Sequence, residues 1–390
     1  MAIRTERNLR VGIERRHPKR LVVLCLGTAL CALGAMAAIA APSPKAAASV
    51  DPNVQQPNWR PPKNAWGQPD LSGTWTNVTL TPLTRDLHIT DKPTLSAAEA
   101  HAKEKFFTEA LAARDAEADP NSLPGNADDR AKDAKLIAAR ADFAQSGGDV
   151  GGYNTFWLDP GTHMSDINGA FRTSILTTPN GQFPPRKSSQ GGGSGPAPGG
   201  GFREVYDSYE SRPLAERCIS FARNAPPPML PNGYYNNNYQ IVQTGDSVAI
   251  QVEHIHDVRI VRLNDHHRTD GLRPWLGDSV GRYEGNTLVV ETTNVPQANN
   301  FMGSWKNLKV TERFTPISPT RVNYQFQVED PDTWDKPWGG EYNFSPLHGI
   351  VYEYACHEGN YALPAILAGA RREEQEATQA PQAKGKPGAD

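Results

Sequence analysis

The chain has 390 residues, with 40 Lys plus Arg against 43 Asp plus Glu and a formal net charge of −3. That length suits one large domain or two smaller ones. The balance of charge offers no basic stripe, which excludes nucleic acid as a partner.

The first 40 residues stand apart. Seven basic and two acidic side chains lie between Arg4 and Arg20, an apolar run follows from Leu21 to Ala40, and the run ends in Ala38-Ile39-Ala40. A charged start, an apolar middle and an A-x-A end predict a secretory signal peptide and a periplasmic or secreted protein. An uncleaved anchor competes, since about 20 apolar residues span a bilayer. The small-residue end favours cleavage, and so no stable membrane insertion. Removal of 1–40 leaves only Cys218 and Cys356 of the four cysteines. Two cysteines in an oxidising compartment pair most simply as a disulfide. A reactive thiol at Cys356, beside His357, is the competing reading.

Residues 41–65 are rich in Pro and Ala and read as a linker, with order expected from Trp66. A first strand is expected within 70–80. Ser96-Ala97-Ala98-Glu99 fits a capping box that opens a helix to about Glu117, and a second helix is expected over 128–144. Both carry few large apolar residues, so 66–147 reads as a first strand plus a helical flank. From 148 to 370 the pattern is strands. They are expected at 171–178, 239–243, 247–252, 258–263, 281–283, 287–292, 308–314, 321–328 and 351–355. Gly245-Asp246 and Glu284-Gly285-Asn286 mark hairpins. A flexible Gly-rich loop is expected over 188–201 and a disordered tail over 371–390. The fold class that follows is mainly β: an antiparallel meander closed into a lipocalin- or calycin-like barrel. The hairpin turns argue against parallel pairing.

Several polar groups sit where chemistry is plausible. On a strand, His254-Ile255-His256 would put both imidazoles on one face. With His357 as third ligand that makes a metal site. A solvated strand end, with Asp257 and Arg259 paired, is preferred. His357-Glu358 can serve as general acid and base if burial tunes them, or as structural hydrogen-bonding groups under the disulfide. His266-His267-Arg268 reads as a solvated turn. Asn237 and Asn238 offer amides to a polar ligand, although Asn also favours turns. Aromatics such as Trp275 and Tyr354 could line a cavity or fill a β core. The chain lacks G-x-S-x-G, a Walker loop, a Rossmann fingerprint and C-x-x-C-H, which argues against the common hydrolase, nucleotide and haem classes.

Three phrases carry a resemblance: Asp70-Leu71-Ser72-Gly73-Thr74-Trp75-Thr76, the run Glu284 to Asn294, and Tyr352-Glu353-Tyr354-Ala355-Cys356-His357-Glu358-Gly359-Asn360-Tyr361. Together they resemble a family of exported, functionally uncharacterised bacterial proteins, over about 66–371. The resemblance implies His256 and Asp257 but not His254, and brings no reaction.

The expected function is binding, with or without transformation, of a small organic molecule of plant-derived or aromatic character, and no tightly held cofactor. His256, Asp257, His357 and Glu358 would move protons. Arg259 would hold an anionic group, and Asn237, Asn238, Trp275 and Tyr354 would line the site. The alternatives are a non-catalytic carrier and a metalloenzyme using His254, His256 and His357.

Overall fold

The computed structural model describes residues 59–115, 159–187, 206–221, 226–232 and 236–379. The leader, the second expected helix and the Gly-rich segment lie outside the described residues. Order begins before Trp66: the Asn64 side-chain oxygen accepts from the backbone of Trp66 at 3.0 Å and of Gln68 at 3.1 Å.

Among the described residues, twelve strands and two helices follow in chain order. They are β1 (Gly73–Thr76), β2 (Thr94–Leu95), α1 (Ala97–Asp115), β3 (Asp166–Ile167) and β4 (Ala170–Arg172). Next come β5 (Asn238–Gln243), β6 (Ser247–Val252), β7 (Val258–Leu263), β8 (Asp278–Glu284) and β9 (Thr287–Thr293). The last are β10 (Lys309–Ser318), β11 (Arg321–Glu329), β12 (Trp338–Pro346) and α2 (Ala362–Gln379). Nine of the strands close a barrel in the order β1-β12-β11-β10-β9-β8-β7-β6-β5, while β2, β4 and β3 form a separate small sheet. The meander β5 to β12 is therefore closed by the first strand, which pairs with β5 on one side and β12 on the other.

Period-two alternation makes the barrel. Val322, Tyr324, Phe326 and Val328 of β11 are buried, as are Val248, Ile250 and Val252 of β6. These side chains do not enclose an empty mouth. Tyr239, Phe314, Tyr324, Tyr342 and Phe344 pack ring to ring across the interior, and Trp334 packs against Trp338. Aromatics from this region thus fill the core, whereas Trp275, Tyr352 and Tyr361 are exposed.

Two charged residues share that interior. Val310, Glu312 and Phe314 lie on one face of β10, and Arg259, Val261 and Leu263 on one face of β7. Arg259 and Glu312 form a bidentate ion pair. Tyr324 donates to Glu312 at 2.8 Å, Met229 N donates to Tyr324 at 2.9 Å, and Tyr342 donates to the Met229 carbonyl at 2.8 Å. Asn77 Nδ2 donates to the hydroxyls of Tyr239 and Tyr342. Burial pushes all three phenols up, so they remain protonated donors.

Several expectations need correction. The β7–β8 pair is parallel, with Val261 opposite Ser279. No two-residue turn joins these strands; the 264–277 crossover is long enough to reverse direction twice. Of His266-His267-Arg268, expected as a solvated turn, His266 and Arg268 are exposed and His267 is half-buried. His267 sits between Asp278 at 3.0 Å and Glu291 at 3.2 Å and pins the crossover. Residues 351–355 form no strand, because β1 already occupies the free side of β12 and a closed barrel offers no edge. Past Arg371 the chain continues as helix to Gln379 rather than as a disordered tail. Of the strand expected over 171–178, only the start is realised, in β4.

β12 was not expected, since Gly339 and Gly340 dilute its strand composition. Both are required there. The segment 175–177 crosses β12 at this point, with Thr177 N donating to Gly339 O and Glu341 N to Ile175 O, both at 2.9 Å. A Cβ on Gly340 would meet the Phe326 ring and the Ile175 carbonyl.

α1 begins at the expected capping box: Glu99 N donates to Ser96 Oγ at 3.3 Å and Ser96 N to Glu99 Oε2 at 2.8 Å. Its Ala100, Phe107 and Ala110 pack with Leu80, Met164 and Phe171 as a second, smaller core. The small sheet in turn meets β12, where Asn343 N donates to Ser165 Oγ at 3.1 Å and Asn343 Nδ2 to the Asp166 carbonyl at 2.6 Å.

Candidate functional site

The expected site residues gather only in part, around the turn that joins β6 to β7. His254–His256 is a single 3₁₀ turn with Ile255 at φ 58° and His256 at φ 47°. A β-branched residue in this region is a genuine outlier. The turn cancels period two, so the H-x-H pair does not share a face. His254 is buried, stacked on Phe221 with centroids 3.9 Å apart and 4.8 Å from Tyr354. Burial pulls its pKa down to about 4, leaving it neutral at pH 7. His256 is exposed, its Nδ1 3.2 Å from the Tyr354 carbonyl.

Asp257 follows. Burial pushes its carboxyl up to about 6, against the opposing pull of the Ser220 hydroxyl and of His256. Its Oδ2 is buried with no hydrogen-bond partner among the described residues. Ser220 Oγ accepts from Asn299 Nδ2 at 3.3 Å, and the same amide donates to the Trp275 carbonyl at 2.7 Å. Trp275 therefore reaches this cluster through its backbone. Such a carboxyl can exchange a proton near neutral pH.

The remaining expected residues are placed elsewhere or used otherwise. Asn238 donates to Glu253 Oε2 at 2.7 Å, and Glu253 Oε1 accepts from Tyr352 N at 3.3 Å. This brace holds the strained turn to β5 and to the disulfide segment. Asn237 is buried and spans the backbone N and O of Asn232, both at 2.7 Å. Arg259 is not available to an anionic ligand at this turn, because Glu312 holds it inside the barrel. Cys218 and Cys356 form the expected disulfide. His357 and Glu358 lie exposed in the turn just after it, and no side-chain hydrogen bond or ion pair among the described residues joins either to His256 or Asp257. Among the described residues no three His, Cys, Asp or Glu side chains converge as a metal-ligand set, so His254, His256 and His357 do not form one.

A second region was not expected at all. Between α1, the β3–β4 hairpin and the outer face of β11 and β12 lies a groove of about 380 Å³. Val78, Met164 and Phe171 supply apolar lining, and Arg321, Asn343 and Ser345 supply polar groups. On the α1 side, Glu104 accepts from Met164 N at 2.8 Å and lies 2.9 Å from His101 Nδ1 and 3.9 Å from His163 Nδ1. Asn343 is fixed by Ser165 Oγ and by the Asp166 carbonyl. Arg321 donates to Ser345. A partly apolar concavity with a few fixed polar groups suits noncovalent recognition of a small molecule.

Compared with models of protein families, with curated proteins and with solved structures, the chain matches none. The site is therefore read from its own geometry.

The groove escaped sequence reading because its walls are distant in the chain. Glu104 lies on a helix, His163 in a connection, and Arg321 and Asn343 on strands, and no spacing links them. Glu312 was legible: an acidic residue on the apolar face Val310, Glu312, Phe314 signals a buried partner.

Proposed function

We propose that the protein is an exported binding protein that takes a small polar organic molecule on the outside of a filled barrel, in the groove between α1 and β11–β12. One observation carries this reading: the interior is occupied by its own aromatic side chains, while the concavity of about 380 Å³ lies outside, lined by fixed polar groups. Export is supported by the basic, apolar and A-x-A pattern of residues 1–40 and by the disulfide. Among the described residues no helix is long and apolar enough to cross a membrane.

The test is a thermal-shift screen of the oxidised protein against plant aromatics, sterols and oligosaccharides. A ligand that binds only the folded state raises Tm by mass action. The shift is expected to vanish in Arg321→Ala and Glu104→Gln and to persist in His357→Ala. A shift that survives both groove variants would move the site elsewhere and overturn the reading.

A further inference from the structure

Next to the groove, on the same outer sheet face, lies a smaller hollow of about 190 Å³ lined by Ile167, Thr315, Ile317, Asn323, Gln325 and Glu341. Asn343 lines both hollows and forms their common wall. The strand register explains the arrangement. Thr315, Asn323 and Asn343 form one row across β10, β11 and β12, and Arg313, Gln325 and Glu341 the next. Outward positions on neighbouring strands stand about 4.8 Å apart, so these rows present a regular polar grid.

The grid is organised by its own hydrogen bonds. Glu341 Oε1 accepts from Asn323 Nδ2 at 3.1 Å and from Gln325 Nε2 at 2.9 Å. Asn343 Oδ1 also accepts from Asn323 Nδ2, at 3.1 Å. Both N–H groups of Asn323 and one of Gln325 are thus engaged within the grid. Glu341 Oε2, Asn323 Oδ1 and Gln325 Oε1 make no hydrogen bond among the described residues. The hollow therefore offers these acceptor oxygens, one of them charged, together with the Asn168 amide and the Gln325 N–H that Glu341 does not use, beside the two apolar side chains Ile167 and Ile317.

We propose that the ligand is a neutral polyhydroxylated molecule, a linear oligosaccharide, that runs from the groove across Asn343 into the amide-lined hollow. This rests on the groove reading given above and adds the ligand's class. Acceptors require a ligand rich in O–H donors. A simple carboxylate brings no such donor at neutral pH, and any anion meets the Glu341 charge with its own. A cationic ligand would meet that charge favourably; in the adjoining groove Arg321 opposes it while Glu104 and Asp166 attract it, so the calcium arm of the test below separates the two. A sugar ring satisfies both halves of the hollow: its hydroxyls donate to the grid while its C–H face packs on Ile167 and Ile317. The self-bonded amides are preorganised, so little side-chain freedom is lost on binding.

The test is isothermal titration of the full oxidised protein with neutral linear oligosaccharides of increasing length, with uronate oligosaccharides, with aromatic acids and with calcium. Affinity is expected to rise with length for the neutral series until both hollows are filled. Glu341→Gln replaces an outward acceptor by a donor and should weaken the long neutral ligands roughly tenfold. Gln325→Ala, at an exposed position, should act in the same direction, and both variants should keep the parent Tm. If an aromatic acid or uronate binds instead, with sensitivity to Arg321→Ala and indifference to Glu341→Gln, the groove stands and the neutral saccharide is wrong. Calcium binding that is lost in Glu341→Gln would make the hollow a cation site and overturn the proposal. Heat from none of the four classes would remove both the groove reading and this one.

Discussion

At the residue scale the β6–β7 turn holds two groups whose titration opposes. Asp257 is pushed up to about 6 from an ordinary 3.8. Between those values the unfolded chain has released a proton that the native state keeps, so stability falls as pH rises. His254 is pulled down to about 4 from an ordinary 6.5. As pH falls through that range the unfolded chain takes up a proton that the native state refuses, so stability falls with acid. The two slopes nearly cancel between pH 4 and 6. Asp257→Asn is expected to unmask the histidine, giving stability that drops as pH falls from about 6.5 to 4. His254→Phe should give the opposite slope. The His254 effect is about 3 kcal/mol, and the Asp257 effect is smaller because solvent reaches its carboxyl. Urea midpoints across pH 4–7 measure both; parallel curves for the two variants would rule out this pairing. The roles of these residues were legible only in part. The sequence singled out His256 and Asp257, but left-handed φ at two non-glycine residues is invisible in a His-Ile-His string. It follows from Asn238 and Tyr352 gripping Glu253 from both sides.

Elements are tied together across the barrel as well as around it. β7 and β10 are not neighbours, yet Arg259 and Glu312 join them through the interior. Removing one partner leaves a buried, unpaired charge. Glu312→Leu should therefore cost roughly 3–5 kcal/mol, and the double variant Arg259→Met with Glu312→Leu should recover most of it. Equilibrium urea unfolding provides the comparison. Equal midpoints for single and double variants would place the cost in the lost bond to Tyr324 instead. Strand positions with clean alternation, such as 247–252 and 321–328, were readable because one face is buried and the other is wet. β12 was not, because two glycines required by a crossing segment removed its composition signal. Residues 351–355 had strand composition without a strand, since composition cannot report that no edge is left to pair with.

Over the whole molecule, the Cys218–Cys356 disulfide spans 138 residues of sequence. It joins the segment between β4 and β5 to the one that follows β12. Reduction is expected to lower stability by roughly 5 kcal/mol on a chain-entropy estimate, seen as a lower urea midpoint in reductant. An unchanged midpoint, with faster hydrogen exchange confined to 351–379, would make the bond a local strap. Sequence alone pointed to the mainly β meander, the capped first helix and a disulfide as the simplest use of these two cysteines. Those features are local, or follow from counting: period-two burial, a Ser-x-x-Glu cap, and the two cysteines that lie beyond the apolar N-terminal run. Tertiary structure decided the closure by β1, the parallel β7–β8 pair, the filled interior and the groove on the outer face. Each depends on which distant side chains share one space, and volume filled by residues far apart in the chain leaves no periodic trace in it.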